Sequence, residues 1–549
     1  MRIASLALAV MALVAPFAAG GQGTVTVPVD DPLYRDVDRL IDAGLATHVV
    51  VGQRPYSRQM IARIVREARL RLDPATMEGG AGPSLDARSV DRLRAAFAVE
   101  IADLDGDTRA AAELRWTPIR SLRAEALVTD APTRGVPSNG LGSVEADVNP
   151  LIDGREGRRF VPGANLALEG EHSVQFPAGF SVQAQPRLWS YRDRSGQSTG
   201  ISGELLSANL RAVRGNLALT VGREYTEWSP APGSGLLFSG NAPALDMVRL
   251  ASDAPFRLPS VLARLGELSA ALQVADVGRS DSSNHSRLVS YKVSISPTSA
   301  LELGGTFVNH YGGTGAKPAS ALNRFIDLVP FIDIFRHHVD STDVDSDKLI
   351  GVDGRLRLRQ LGNIALYGEL ALEDFDFHRL HSIFTEDAAY TAGVIIPTLF
   401  SPALSARVGY HIVGLRFYEH HILRNGIAAR RFTLGDDLGH DASGIFGLIR
   451  SERSNGLTVT AEGAYELRRN DEYVGSYTKP GLTGLVFAKV TDRPKEQRSR
   501  GTVGVRWFRP DGGMMLELKA GAERVGNFAF VTSPDRAHGL ASVSAAWYH

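Results

Sequence analysis

Between Asn165 and Trp189 the chain alternates apolar and polar residues on both sides of one short turn. Leu166, Leu168, Gly170, His172, Val174 and Phe176 take the even positions, and Ala167, Glu169, Glu171, Ser173 and Gln175 the odd ones. After Pro177-Ala178-Gly179 the pattern resumes, with Phe180, Val182, Ala184, Pro186 and Leu188 opposed by Ser181, Gln183, Gln185 and Arg187. A period of two puts the two sets on opposite faces of a strand. Each arm has about ten residues, the length a tilted strand needs to cross a bilayer; strands of globular sandwiches are nearer five or six, as a rough mode. One face suits lipid and the other, carrying Glu and Arg, suits water. The stretch reads as a membrane-barrel hairpin.

The pattern recurs from about residue 112 to the end. Leu205 to Val213 and Leu217 to Tyr225 flank the turn Arg214-Gly215-Asn216. Val289, Tyr291, Val293 and Ile295 alternate up to Pro297, and Leu301, Leu303 and Phe307 after it. Ile350, Val352, Leu356 and Leu358 oppose Asp353, Arg355, Arg357 and Arg359; beyond Gln360-Leu361-Gly362, Ile364, Leu366, Leu370 and Leu372 oppose Tyr367, Glu369 and Glu373. Val503, Val505 and Trp507 lead into Pro510-Asp511-Gly512-Gly513 and then Met514, Leu516 and Leu518, and Val543, Ala545 and Trp547 alternate at the end. Short turns alternate with long polar connections, namely Ser190 to Glu204, Thr226 to Leu245 and His310 to Lys348. Short turns on the periplasmic side and long loops outside are how outer-membrane barrels are built. At about 24 residues per strand and connection, the segment 112–549 predicts roughly sixteen to twenty strands.

Bulk properties agree. A mean hydropathy of −0.08 is too low for a bundle of membrane helices but suits a barrel whose strands are half water-facing. Among 549 residues the net charge is −1, which argues against a nucleic-acid partner. Cysteine is absent, excluding thiolate metal sites and cysteine nucleophiles. Met1 to Gly20 has Arg2, an apolar run from Ala4 to Val14 and Ala18-Ala19-Gly20, the pattern of a secretory signal.

Residues 24–108 read as a three-helix domain. Asp31-Pro32 starts a helix with Leu33, Val37, Leu40 and Ile41 on one face and Gly44 as the stop. Ser57 caps a second, with Ile61, Ile64, Val65 and Ala68 buried and Arg58, Arg63, Arg66 and Arg69 on the opposite face. After the loop Glu78 to Pro83, a third carries Val90, Leu93, Phe97, Ile101 and Leu104.

Candidate chemistry is sparse. Asp343-Val344-Asp345-Ser346-Asp347 begins like a calcium loop, but Lys348 replaces the required Gly. His337-His338 and His420-His421 are adjacent pairs, poorly spaced for one metal. Gly312-Gly313-Thr314-Gly315-Ala316-Lys317 lacks the strand and helix of a phosphate loop, and no nucleophile motif is placed for catalysis. No metal, cofactor or enzymatic activity is expected. Arg355, Arg357 and Arg359, opposite Glu369 and Glu373, are lumen-lining candidates, either a selectivity ladder or cross-strand ion pairs in a plugged barrel. Trp189, Tyr191, Trp228, Tyr311 and Arg336 are ligand candidates at or beyond the rim, since sugar C–H faces stack on rings and hydroxyls accept from Arg. The competing reading, an interfacial girdle, is favoured for Trp189.

A family resemblance adds to this. Val27-Pro28, Asp30, Pro32 and Tyr34, then Asp38-Arg39-Leu40, Gly44-Leu45 and Arg54-Pro55-Tyr56-Ser57-Arg58, resemble the helical start of the capsule-assembly Wzi family. Gly222-Arg223, Trp228, Pro232-Gly233 and Leu236 to Pro243 resemble its tryptophan and Asn-Ala-Pro segment, departing from it at Ser229-Pro230-Ala231. Tyr367-Gly368-Glu369 with Glu373-Asp374, and Tyr418-Glu419-His420-His421 with Asn425-Gly426, Leu434-Gly435 and Leu438-Gly439, resemble later segments in the same order. The resemblance implies an outer-membrane barrel of about eighteen strands, a periplasmic helical bundle, and a lectin-like protein that binds or anchors capsular or exopolysaccharide. The alternative is a porin or channel. The partners expected are polysaccharide, outer-membrane lipid and lipopolysaccharide, and the barrel-insertion machinery, with the protein a monomer.

Overall fold

The computed structural model describes residues 24–72, 84–107, 113–148, 151, 156–177, 179–195, 198–281, 284–328, 345–373, 380–475, 487–509 and 512–548. The secretory signal Met1 to Gly20, the loop 78–83, Arg336, His337-His338 and Asp343-Val344 lie outside the described residues. The barrel strands are Arg115–Thr129 (β1), Gly163–Phe176 (β2), Phe180–Asp193 (β3), Thr199–Arg214 (β4), Leu217–Glu224 (β5), Leu245–Ser252 (β6), Glu267–Arg279 (β7), Asn284–Thr298 (β8) and Leu301–Tyr311 (β9). They continue as Ser346–Leu358 (β10), Ile364–Glu373 (β11), Ala388–Ile396 (β12), Leu404–Val413 (β13), Ala442–Glu452 (β14), Leu457–Arg468 (β15), Glu496–Phe508 (β16), Met514–Gly526 (β17) and Arg536–Tyr548 (β18). Each pairs antiparallel with its neighbours in sequence, and β18 pairs with β1 from Ser121↔Tyr548 to Thr129↔Leu540, closing an 18-stranded barrel. Closure leaves no edge strand, so the backbone groups of the wall are satisfied within it.

The two faces follow the alternation. On β2 and β3 the even residues Leu166, Leu168, Val182 and Leu188 point outward and are exposed, Leu188 at 53%, while Glu169, Glu171, Gln183 and Arg187 are buried inside. The same outward belt includes Ile201, Val352, Ile445, Val503, Leu518 and Val543. So continuous an apolar surface belongs against hydrocarbon. No helix among the described residues is long and apolar enough to cross a membrane.

The N-terminal domain has one break more than its sequence pattern suggested. Tyr34–Asp42 (α1) follows Asp31, whose carboxylate accepts the Leu33 N–H at 2.8 Å, and ends before Gly44 at φ +79°. Arg58–Arg71 (α2) is capped by Ser57, which accepts from Met60 N at 3.1 Å. The third stripe is split at Phe97 (φ −120°, ψ 27°) into Leu85–Ala96 (α3) and Ala98–Leu104 (α4). The kink lets Phe97 enter a core with Val37, Leu40, Ile61, Ile64 and Leu93. That core also contains Phe508, Met515 and Ala546, wall residues at the short-turn end, so the domain seats in that end of the barrel.

Two expectations about connections change. The supposed loop Ser190 to Glu204 is mostly strand, because β3 runs to Asp193 and β4 starts at Thr199. Its polar sequence reflects strands that outrun the apolar belt. The connection 312–345 does carry structure of its own: Ala321–Asp327 (α5) lies on the outer side of the wall, where Asn309 Nδ2 donates to the Asp327 carbonyl at 2.9 Å.

Candidate functional site

The lumen is where sequence reasoning was least informative, and it is largely filled. The β5–β6 connection, residues 225–244, turns inward. Trp228, only 2% exposed, meets Phe238 edge-on at 5.0 Å, and its backbone N–H donates to the Phe238 carbonyl at 3.1 Å. At its deepest point Glu227 and Arg54 exchange two backbone hydrogen bonds of 3.1 and 2.9 Å. The loop entering from one end thus joins the domain entering from the other.

A second inward loop, residues 414–441 between β13 and β14, locks onto the first. The Tyr418 hydroxyl donates to the Leu236 carbonyl and accepts from Asp436 N at 2.8 Å. Ser239 N donates to the Leu434 carbonyl at 2.8 Å, Ser239 Oγ to the Gly435 carbonyl at 2.6 Å, and Asn241 Nδ2 to the Thr433 carbonyl at 3.0 Å. Gly435 is required here, since a Cβ would fall 1.9 Å from the Leu236 carbonyl oxygen. The β1–β2 connection closes over both. Asn139 N donates to the Glu419 carboxylate at 3.2 Å, and Glu419 pairs with His440 at 2.7 Å. Burial pulls the His440 imidazole down, but Glu419 and the Pro137 carbonyl outweigh it and hold its pKa above the ordinary value. His420, by contrast, is pushed down to about 4 by burial and by His421. Its Nδ1 accepts from Leu423 N at 3.0 Å, and its ring lies 4.6 Å from that of His421.

The loops bear on the β7–β11 side, where the inward residues Ala271, Ala275, Leu288, Val308, Leu349 and Ala371 make a dry interface with them. Opposite, between the loops and β12–β16, lies a cavity of about 260 Å³. Its walls carry Arg407, His411, Glu462, Arg500 and Phe446. Arg407 lies over the Phe446 ring at 4.9 Å and donates to the Pro232 carbonyl at 2.5 Å; Arg500 Nε is 2.8 Å from Glu466. Planar donors and acceptors beside an aromatic face are the groups that engage hydroxyls and C–H faces of sugars. Sequence reasoning missed these residues, because strand alternation marks them only as inward-facing.

The residues singled out by sequence are dispersed. Trp228 is not at the rim but inside the plug. Trp189 and Tyr191 share the inward register of Arg187, so Trp189 is not part of an outward girdle; the two rings lie 4.9 Å apart near the long-loop end of β3. Arg187 sits over Trp189 at 5.5 Å, and the indole N–H is buried without an acceptor among the described residues. Tyr311 ends β9 in the outward register, opposite to the buried His310, rather than deep in a loop. Arg355, Arg357, Glu369 and Glu373 do face the lumen, but no Arg–Glu ladder forms. Register places Asp353 opposite Glu369, Tyr367 opposite Arg355 and Leu349 opposite Glu373. Instead each group holds a lumen filler. Arg355 bonds to Asp42 of α1, Arg357 Nη1 donates to the Ile41 carbonyl at 2.9 Å, Glu369 accepts from Leu236 N at 3.1 Å, and Glu373 accepts from Tyr418 N. Arg359 lies in the turn and bonds to Ser299.

A family model described as capsule assembly protein Wzi matches residues 135–539. The chain belongs to the Wzi capsule-assembly family. Among solved structures, Wzi of Escherichia coli aligns with a TM-score of 0.61 at 16% identity, covering 96% of this chain and 99% of its own. That protein is described as an outer-membrane protein involved in group 1 capsule assembly and a carbohydrate-binding β-barrel; the likeness establishes the shared fold. Pseudomonas aeruginosa OccK1 (OpdK) and Acinetobacter baumannii OccAB1 reach TM-scores of 0.41 and 0.40 at 9% and 11% identity. Both cover 78% of this chain, and 96% and 94% of their own, and are too distant to bear on function. No curated protein matches the sequence. In this Wzi-family barrel the segments that carried the resemblance, Trp228, Leu236 to Pro243, Tyr418 to His421 and Leu434-Gly435, are those that lock the two loops together.

Proposed function

We propose that this protein is an outer-membrane member of the Wzi family that binds capsular or exopolysaccharide and anchors it at the cell surface, with the helical domain on the periplasmic side. The observation that carries the reading is the interlocked plug. Residues that a channel would leave around a pore instead hold loops and helices in place, which suits a rigid platform for a ligand rather than a conduit. The family's part in capsule assembly and the description of the Escherichia coli relative as carbohydrate-binding support it. Sugar rings would meet the Trp189–Tyr191 pair near the long-loop end and the Arg407, His411, Glu462 and Arg500 groups of the lumen cavity. No catalytic step is part of this role.

The test is to delete the gene and score cell-attached against released polysaccharide, with purified protein examined in planar bilayers in parallel. Loss of attachment with electrically silent bilayers is expected. Normal attachment would overturn the anchoring role, and steady large currents would favour a channel.

A further inference from the structure

At the long-loop end, two adjacent arginines occupy a turn that ordinarily takes neither. The inward loop 414–441 carries a small hairpin in which Ala428–Ala429 pairs with Phe432–Thr433, Ala429 standing opposite Phe432. Its two-residue turn is therefore Arg430-Arg431, with φ of +50° and +66°. Such a turn is usually Asn-Gly, because both residues take the left-handed region that a Cβ disfavours. Two long side chains kept there imply a use for each. Arg431 has one within the chain: its guanidinium donates to both carboxylate oxygens of Asp147 at 2.7 Å, and its carbonyl accepts from Asp147 N at 2.8 Å. The Arg430 side chain bonds to no group among the described residues.

The carboxylates that face Arg430 are already taken. Arg223 holds Asp246 through bonds of 2.8 and 2.9 Å, and Arg187 holds Glu204. Burial and then Arg223 pull the Arg430 pKa down, and Asp246 and Glu204 recover only part of it, so an arriving anion would relieve the site. A second cation adjoins it. Arg159, exposed in the β1–β2 connection, donates to the Arg430 carbonyl and lies over the Phe432 ring at 5.8 Å; no carboxylate of the described residues bonds to it.

Both arginines converge on the long-loop ends of β2–β4, beside the aromatic pair. Asn165 of β2 stands opposite Tyr191, and Glu204 of β4 opposite Arg187, whose guanidinium lies over Trp189 at 5.5 Å. The mouth thus offers two rings 4.9 Å apart, an indole N–H without an acceptor among the described residues, and two cations without a bonded counter-ion. Aromatic rings suit the C–H faces of any sugar. Guanidinium forks suit a planar carboxylate.

Building on the reading of this protein as a polysaccharide binder, we propose that the mouth selects acidic glycans. Arg430 and Arg159 receive the carboxylate of a uronic-acid-type residue, while Trp189 and Tyr191 stack on the sugar beside it.

The test uses full-length protein in detergent and oligosaccharides released from the surface polysaccharide of the producing cell. One portion is treated with carbodiimide and borohydride, which turns each carboxylate into a primary alcohol and leaves the rings intact. In isothermal titration calorimetry the reduced pool should bind about tenfold more weakly, the loss of one charge-assisted contact. Arg430→Asn keeps the turn, since Asn tolerates positive φ, and removes only the cation. It should weaken binding of the untreated pool about tenfold and leave the reduced pool unchanged. Arg159→Gln should behave likewise, and Arg63→Gln, exposed on α2, should alter neither. Equal affinity for the two pools, wild-type affinity of Arg430→Asn or Arg159→Gln for the untreated pool, or equal loss in Arg63→Gln would overturn the selection for carboxylates and leave the polysaccharide reading standing. Binding of neither pool by the wild-type protein would remove that reading, and the acidic ligand with it.

Discussion

Gly435→Ala is the sharpest perturbation of the plug. The added methyl would lie 1.9 Å from the Leu236 carbonyl oxygen and 2.3 Å from the Tyr418 hydroxyl, so one loop must withdraw. The bonds at stake are those of Tyr418 to Leu236 and Asp436, of Ser239 to Leu434 and Gly435, and of Asn241 to Thr433. At about 1 kcal/mol net apiece, losing most of them costs about 3–5 kcal/mol. If the loops open as a local unit, their amides should exchange between about a hundred and several thousand times faster, while the barrel strands keep wild-type protection. Hydrogen–deuterium exchange with mass spectrometry on residues 234–241 and 432–441 reads this directly. Protection within threefold of wild type in both segments would refute the claim that the loops are locked through this contact.

Other consequences can be checked separately. His440 has its pKa raised in the fold by Glu419, so its contribution is complete below about pH 6.5, the unfolded value, and is lost as pH rises through the folded one; plug protection should fall from pH 6 to pH 9, and Glu419→Gln should flatten that profile. Burial alone would raise Glu100, but Arg58 and Arg115 hold it down to about 2, so its stabilisation is present above about pH 4.3 and disappears as pH falls through 2. Glu100→Ala strands two guanidiniums and should destabilise the helical domain by about 3–5 kcal/mol in a thermal melt. On the wall, Leu188→Arg should impair outer-membrane assembly by about 2–4 kcal/mol, whereas Gln183→Ala, which faces inward and adds neither bulk nor charge, should assemble, as heat-modifiable gel migration would report.

The hairpins were legible because alternation and turn chemistry are local. Arg214-Gly215-Asn216 and Gln360-Leu361-Gly362 sit between the strands their patterns announced. The faces of β10 and β11 were also legible, since period two assigns them without knowing the partner. What the arginines and glutamates there would touch was not, because their partners Asp42, Leu236 and Tyr418 come from distant segments. The misplacement of Trp228 has the same origin: a Gly- and Pro-rich connection has no periodicity to tell whether it projects outward or folds into the lumen. Polar strand ends beyond the apolar belt are indistinguishable from loop at Ser190 to Glu204 for lack of any hydrophobic contrast. The break at Phe97 leaves no mark in the sequence, because the apolar spacing continues unbroken through the kink.

The pairing of Arg54 with Glu227 bears on the order of biogenesis. The helices are made before any strand, yet the strand that seals the cylinder, β18, is made after the other seventeen and must find β1 across the length of the barrel segment. Because the two backbones bond inside the finished wall, that bond forms only when the helical module and the β5–β6 segment both occupy the lumen. A lesion in the plug should therefore be scored for its effect on assembly as well as on the finished barrel.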